Sequence, residues 1–159
     1  MRIAEVMTRD VRVIDPERSV RDAARLMDHL NVGSLPVCDG ERLVGMITDR
    51  DITVRATAVG EDPDRTPVKK IMSEDVRWCF EDDDISEVVR TMGDVQIRRL
   101  PVVDHDKRLV GIVALGDLAT DHAEGTEEAL RHISEPSEPD RSGKASTASA
   151  GKGRTQPRG

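Results

Sequence analysis

Leu43-Val44-Gly45-Met46-Ile47-Thr48-Asp49-Arg50-Asp51 decides the fold, because Leu109-Val110-Gly111-Ile112-Val113-Ala114-Leu115-Gly116-Asp117 repeats it in reduced form. Each copy reads as an apolar strand running straight into a helix. In the first, two apolar residues separate Gly45 from Thr48, and Asp51 follows three positions later. A hydroxyl and a carboxylate thus stand at the first turn of a helix, beside its unpaired N–H groups, where a sugar and a phosphate can be held.

Upstream, Leu35-Pro36-Val37-Cys38 reads as a strand whose proline confines it to an edge or a bulge, and Asp39-Gly40 as the turn after it. Before it lies a helix. Ser19 with Asp22 resembles a capping box, Val20, Ala23, Ala24, Met27 and Leu30 fall on one face, and Asn31 and Gly33 are stop signals. Val11-Arg12-Val13-Ile14 is a strand candidate ended by Asp15-Pro16, and Val6-Met7 closes a short N-terminal turn. The apolar run 43–47 is of the sort buried on both faces. A second helix is expected from about residue 50 to 59, with Gly60 as its stop.

The charged, proline-containing stretch 61–67 reads as a linker, and the order then begins again. Met72 lies 65 residues after Met7, and Leu100-Pro101-Val102 lies 65 after Leu35-Pro36-Val37. Ile85, Val88, Val89 and Met92 match Val20, Ala23, Ala24 and Met27, with Asp84 and Glu87 at the capping positions of Ser19 and Asp22. From Leu109 the offset is 66, because the turn Asp104-His105-Asp106-Lys107-Arg108 carries one more residue than its counterpart. Insertions belong in turns, which supports the alignment. The resulting division is a first unit at 1–60, the linker, a second unit at 68–122, a short helix at 123–134 and a disordered Ser/Gly/Pro/Ala-rich tail at 135–159. Each unit reads strand, helix, strand, strand, helix, an α/β chain of the α+β kind. A unit of about 60 residues buries only about 60% of its unfolded surface, so the two are expected to share a core through their sheets, with a pair of clefts.

Composition narrows the function. The 159 residues carry a formal net charge of −7, which argues against general binding to a nucleic-acid backbone. With no Tyr, one Phe and one Trp, the chain lacks aromatics for stacking single-stranded bases. No stretch approaches the roughly 18 apolar residues of a membrane helix, and Met1-Arg2-Ile3-Ala4-Glu5 opens into structure without a signal segment, so a cytoplasmic location is expected. Cys38 and Cys79 have neither CxxC nor zinc-site spacing and read as buried small hydrophobes, so no metal is expected. His29, His105, His122 and His132 are scattered, and no nucleophile, base and orienting group converge.

The doubled Gly-apolar-apolar-Thr-x-x-Asp stretch, with the doubled Leu-Pro-Val strand before it, resembles tandem cystathionine-beta-synthase (CBS) domains, the pair called a Bateman module. The resemblance covers about residues 3 to 122, and the Thr-Asp-Arg-Asp-Ile stretch is similar to that of small stand-alone bacterial two-CBS proteins. It implies a non-catalytic module that binds an adenine nucleotide such as AMP, ADP or ATP between its repeats and forms a homodimer. Carried over residue by residue, Asp51 accepts hydrogen bonds from the ribose hydroxyls and Thr48 contacts phosphate. In the second copy Asp117 is kept, while Ala114 replaces the hydroxyl, which predicts unequal sites with the stronger at Asp51. Arg98 and Arg99, standing where the first copy has Gly33 and Ser34, are the expected phosphate cations, Arg99 the better placed. By the same analogy Val11, Val13, Leu35 and Pro36 line an apolar slot for adenine, and Trp78, aligned with Val13, borders the second cleft.

Plain structural readings stand beside these. Thr-x-x-Asp is also a capping box that starts a helix with no ligand, although Asp117 persists where Ala114 has removed its partner. Arg98 and Arg99 suit surface ion pairs with Glu81-Asp82-Asp83-Asp84. The slot residues suit core packing. Three function classes follow: a nucleotide-sensing regulatory module with an unnamed protein target, an enzyme, and a ligand-free scaffold or stress-response protein acting through protein contacts.

Overall fold

The computed structural model describes the backbone of residues 1–120 and the side chains through Leu118. The expected helix at 123–134 and tail at 135–159 lie outside the described residues. The chain divides into two compact units, one of them assembled from two separate stretches of sequence. Among the described residues, one joins Met1–Val11 to the chain from Arg77, and the other is Arg12–Val76.

In the Arg12–Val76 unit, helix α1 (Val20–Leu30) begins where the Ser19 hydroxyl accepts from the Asp22 N–H at 3.1 Å, half of the expected box. It ends at Asn31, whose left-handed φ of 54° turns the chain out. Strands β1 (Ser34–Asp39) and β2 (Arg42–Thr48) form an antiparallel hairpin with a bulge between Val37 and Cys38. Helix α2 starts as Asp49–Asp51 and widens over Ile52–Thr57, where Ala58 N–H donates five residues back to the Thr53 carbonyl. Gly60, at φ 78°, stops it as the sequence predicts. A short α3 (Val68–Ile71) closes the unit, and Val20, Met27, Leu35, Val37, Ile47 and Ile71 lie in its core.

Two expectations change here. Val11-Arg12-Val13-Ile14 is not a strand, for only Ile14 pairs, in parallel with Val37. Its N–H donates to the Pro36 carbonyl and its carbonyl accepts from Cys38, both at 3.0 Å. Strand β2 is also not buried on both faces. Leu43, Gly45 and Ile47 are buried, while Val44 and Met46 are half-buried, the alternation of a hairpin with one face on the core.

The other unit repeats the plan. A single 3-10 turn (Ile3–Glu5) leads in, followed by β3 (Cys79–Phe80), α4 (Ile85–Asp94), β4 (Arg99–Val103), β5 (Leu109–Ala114) and α5 (Leu115–Thr120). The sheet order is β3-β4-β5, with β3 parallel and β5 antiparallel to β4. β4 is central yet contains Pro101. It is tolerated because β3 meets β4 only at Val102 and Val103, one residue later. Gln96 takes the left-handed φ of Asn31, at 57°, and the bulge recurs between Val102 and Val103. Mixed helix and strand content in two repeats makes the chain α+β.

Each hairpin is braced by the segment that precedes the other repeat in sequence. Met46 N–H donates to the Ser73 carbonyl at 3.0 Å and Ser73 N–H returns to the Met46 carbonyl at 2.8 Å. Thr8 and Ile112 exchange the same pair at 2.8 and 2.9 Å. Glycine is required beside both braces. A Cβ at Gly45 would sit 2.7 Å from Met72 Sδ and 2.9 Å from the Ser73 carbonyl; at Gly111 it would sit 2.7 Å from Met7 Sδ and 2.8 Å from the Thr8 carbonyl. Among the described residues, no helix is long and apolar enough to cross a membrane.

Candidate functional site

The β2–α2 junction is held by a reciprocal pair. Thr48 leaves β2 in an extended conformation and its hydroxyl oxygen accepts from the Asp51 N–H at 3.0 Å. Thr48 N–H in turn donates to Asp51 Oδ2 at 3.0 Å. The capping reading is therefore realised in the geometry. It does not displace the ligand reading. Capping uses Thr48 Oγ1 as an acceptor and leaves its hydrogen to donate to a phosphate oxygen, while a carboxylate offers about four lone pairs, only some of which are engaged.

Asp51 is 7% exposed, which makes it a buried acid. Its second oxygen, Oδ1, lies 3.8 Å from Nε of Arg55, one turn on. The Arg55 side chain spans further, donating from Nη1 to the carbonyls of Ile71 at 3.3 Å and Met72 at 3.4 Å, at the end of α3. Sequence reasoning missed Arg55. The available signal was an acid four residues before a base on one helix, together with Asp121 standing at the matching place in the second copy.

The hairpin register places the other candidates. Ser34 lies opposite Thr48, Leu35 opposite Ile47 and Pro36 opposite Met46. Leu35 is 1% exposed and belongs to the core. Pro36 is buried, Val13 is exposed at 38%, and Val11 is half-buried. The structure thus joins Thr48 to Asp51, sets Leu35 and Pro36 on the strand beside them, and leaves Val11 and Val13 without a strand to line. Cys38, next on β1, is buried, and burial pushes its thiol up to about 11. It is a packed hydrophobe, not a nucleophile.

In the second repeat Arg99 lies opposite Ala114, the pair corresponding to Ser34 and Thr48. Arg98, Arg99 and Asp117 are all exposed. Among the described residues, neither arginine makes an ion pair with the acidic run. Asp82 instead bonds His105 at 3.0 Å, an interaction that holds its carboxyl below the usual range, and Asp83 Oδ2 accepts from the Phe80 N–H. Trp78, Phe80 and His105 form a ring ladder, edge-on between the first two and stacked between the last two. Trp78 is buried, and its indole N–H has no hydrogen-bond partner among the described residues.

A hairpin entering a helix is present twice, and the comparisons with known proteins match both copies. The model of the CBS domain family matches residues 3–56 and 68–122, more than half of the chain, and the protein belongs to that family. It is 42% identical over 134 residues to the CBS domain-containing protein YhcV of Bacillus subtilis, covering 83% of this chain and 94% of that one. Hypoxic response protein 1 of Mycobacterium tuberculosis is 34% identical over 116 residues, covering 72% and 80%. Among solved structures, CBSX2 in complex with AMP superposes with a TM-score of 0.66 at 26% identity, covering 76% of this chain and 95% of that one. The CBS domain pair of MJ0100, in complex with 5-methylthioadenosine and S-adenosyl-L-methionine, does so with a TM-score of 0.64 at 28% identity, covering 77% and 95%.

Proposed function

We propose that this protein is a non-catalytic, cytoplasmic sensor that binds an adenine nucleotide of the AMP, ADP or ATP class at the β2–α2 junction and acts, as a homodimer, on a protein target. The observation that carries the reading is the Thr48–Asp51 pair, which holds a buried carboxylate and a hydroxyl with a spare proton side by side. A vicinal diol supplies two donors to such a carboxylate, and a phosphate oxygen accepts from the threonine. The ligands of the two similar structures, AMP in one and methylthioadenosine with S-adenosylmethionine in the other, have adenosine in common, which supports the ribose assignment to Asp51. Arg99 serves the second repeat as its phosphate cation, and Asp117 as its ribose acceptor. Leu35 and Pro36 contribute backbone and ring edges to the adenine contact, with Val13 at its margin.

Calorimetric titration with AMP, ADP, ATP, S-adenosylmethionine and NADH tests this directly. Asp51→Asn keeps an acceptor for the Thr48 N–H but removes the charge that draws the diol, so nucleotide affinity is expected to fall about ten- to a hundredfold. Heats that are absent from wild type, or unchanged in Asp51→Asn, would sink the proposal.

A further inference from the structure

Arg55 joins two features that the sensing role treats separately. One is the carboxylate of Asp51, whose Oδ1 lies 3.8 Å from the guanidinium; the other is the end of α3, where the same guanidinium bonds the Ile71 and Met72 carbonyls. The last carbonyls of a helix lack partners within it, so a guanidinium arriving from another element acts as their cap. Immediately beyond them, Met72 packs over Gly45 and Ser73 exchanges two hydrogen bonds with Met46 in β2. β2 itself ends at Thr48, the partner of Asp51. The contacts close a ring: Asp51 to Arg55, Arg55 to the end of α3, α3 to the brace, the brace to β2, and β2 back to Asp51.

The ring is anchored by side chains with little access to water. The Asp51 and Arg55 side chains are 10% and 24% exposed, so their attraction is less screened than that of a surface pair. Only a fork of several N–H groups can serve a carboxylate and two carbonyls together, which a lysine ammonium cannot do from one point. Arg55 lies within the widened turn Ile52–Thr57 and reaches the end of α3 from there.

We propose that Arg55 is a positioning residue that couples the charge state and occupancy of Asp51 to the Met46–Ser73 brace. The ligand arm of this proposal rests on the sensing role above; the coupling itself does not. When Asp51 turns its free lone pairs to a ligand, its hold on Arg55 changes, and so does the cap on Ile71 and Met72. Linkage makes the effect reciprocal, so a change in the brace alters binding at Asp51 by the same factor, and in the same sense, as binding alters the brace. The second repeat, with Asp121 in place of a cation, lacks the arginine that such a coupling needs.

The test is amide hydrogen exchange of the full chain, read at Met46 and Ser73, with Thr8 and Ile112 as the matching amides of the other repeat. Without nucleotide, Asp51→Asn and Arg55→Met should each speed exchange at Met46 and Ser73 about fivefold, and the double variant should be no faster than the quicker single. Thr8 and Ile112 should not change. Multiplying effects in the double variant, or an equal rise at all four amides, would overturn the coupling. Arg55→Lys, which preserves charge and folding if the methionine variant fails, should fall between wild type and Asp51→Asn; wild-type exchange in it would overturn the need for the fork. With saturating AMP, wild type should shift exchange at Met46 and Ser73 and Arg55→Met should not. AMP that binds with heat yet moves neither amide refutes the ligand arm, whereas no heat with AMP, ADP or ATP refutes the sensing role and leaves the nucleotide-free cycle to decide the coupling.

Discussion

The two hairpins, β1–β2 and β4–β5, share their strand register, differ by one residue in the turn, and are unlike in the side chains at their mouths. Both carry a bulge at the same place, a glycine under a methionine sulfur, and a two-bond brace. At the exit of β2, a threonine and a buried aspartate lock each other; at the exit of β5, alanine faces arginine and the aspartate is exposed. The common parts are those where any added atom collides with backbone or where a strand N–H would go unpaired. The parts that differ face no such steric limit. Packing dictates what the repeats share, and polar chemistry is where they diverge.

The largest expected break in that comparison comes from removing residues 1–11. This deletes Ile3 and Met7 from one core and the Thr8 brace from β5, at roughly 2–5 kcal/mol per large apolar side chain against a total stability of about 5–15 kcal/mol. Hydrogen exchange should show Val102 and Val113 losing protection while Val37 and Ile47 keep theirs. Persisting protection at Val113 would show that the borrowed segment is dispensable. A smaller contrast is expected at the helix starts. Asp51→Ala loses a cap and strands Arg55, for about 1–3 kcal/mol, whereas Asp117→Ala at an exposed position stays within about 0.5 kcal/mol. Urea midpoints at constant slope measure both, and equal losses would abolish the asymmetry. The smallest effect sharpens the likeness instead. Gln96→Asn gives the second helix the left-handed stop of the first, and a rise in Tm of about 1–2 °C is expected; a fall would mean that the glutamine side chain is needed there.

Much of this was legible in the residues. Helical spacing in 20–30 and 85–94, the glycine stop at 60 and the offset that slips in the 104–108 turn located the helices and hairpins, because those signals are local. The segment 11–14 misled, since alternating valines describe a strand only if a neighbour is present along its whole length, and here β1 reaches it only at Ile14. The borrowed braces were invisible for the same reason. Nothing in Met7-Thr8 tells which of two similar strands it will join. At the junction, Thr48 and Asp51 could be named from spacing, and the structure shows that their capping bonds and their remaining hydrogen-bond capacity coexist. Arg55 was overlooked because its carbonyl partners lie 16 and 17 residues away, beyond the reach of helical periodicity.

The crossed lead-in segments carry an implication for ancestry. A half-length chain, with one lead-in and one repeat, has no second repeat of its own to receive the lead-in, and a twin's lead-in matches its open strand edge. Such a halved chain is predicted to sediment as an exchanged dimer and to unfold on dilution; a stable lone half would contradict it. Fusion of two halves end to end would then have turned an intermolecular bargain into a permanent one, after which each copy was free to acquire its own polar chemistry.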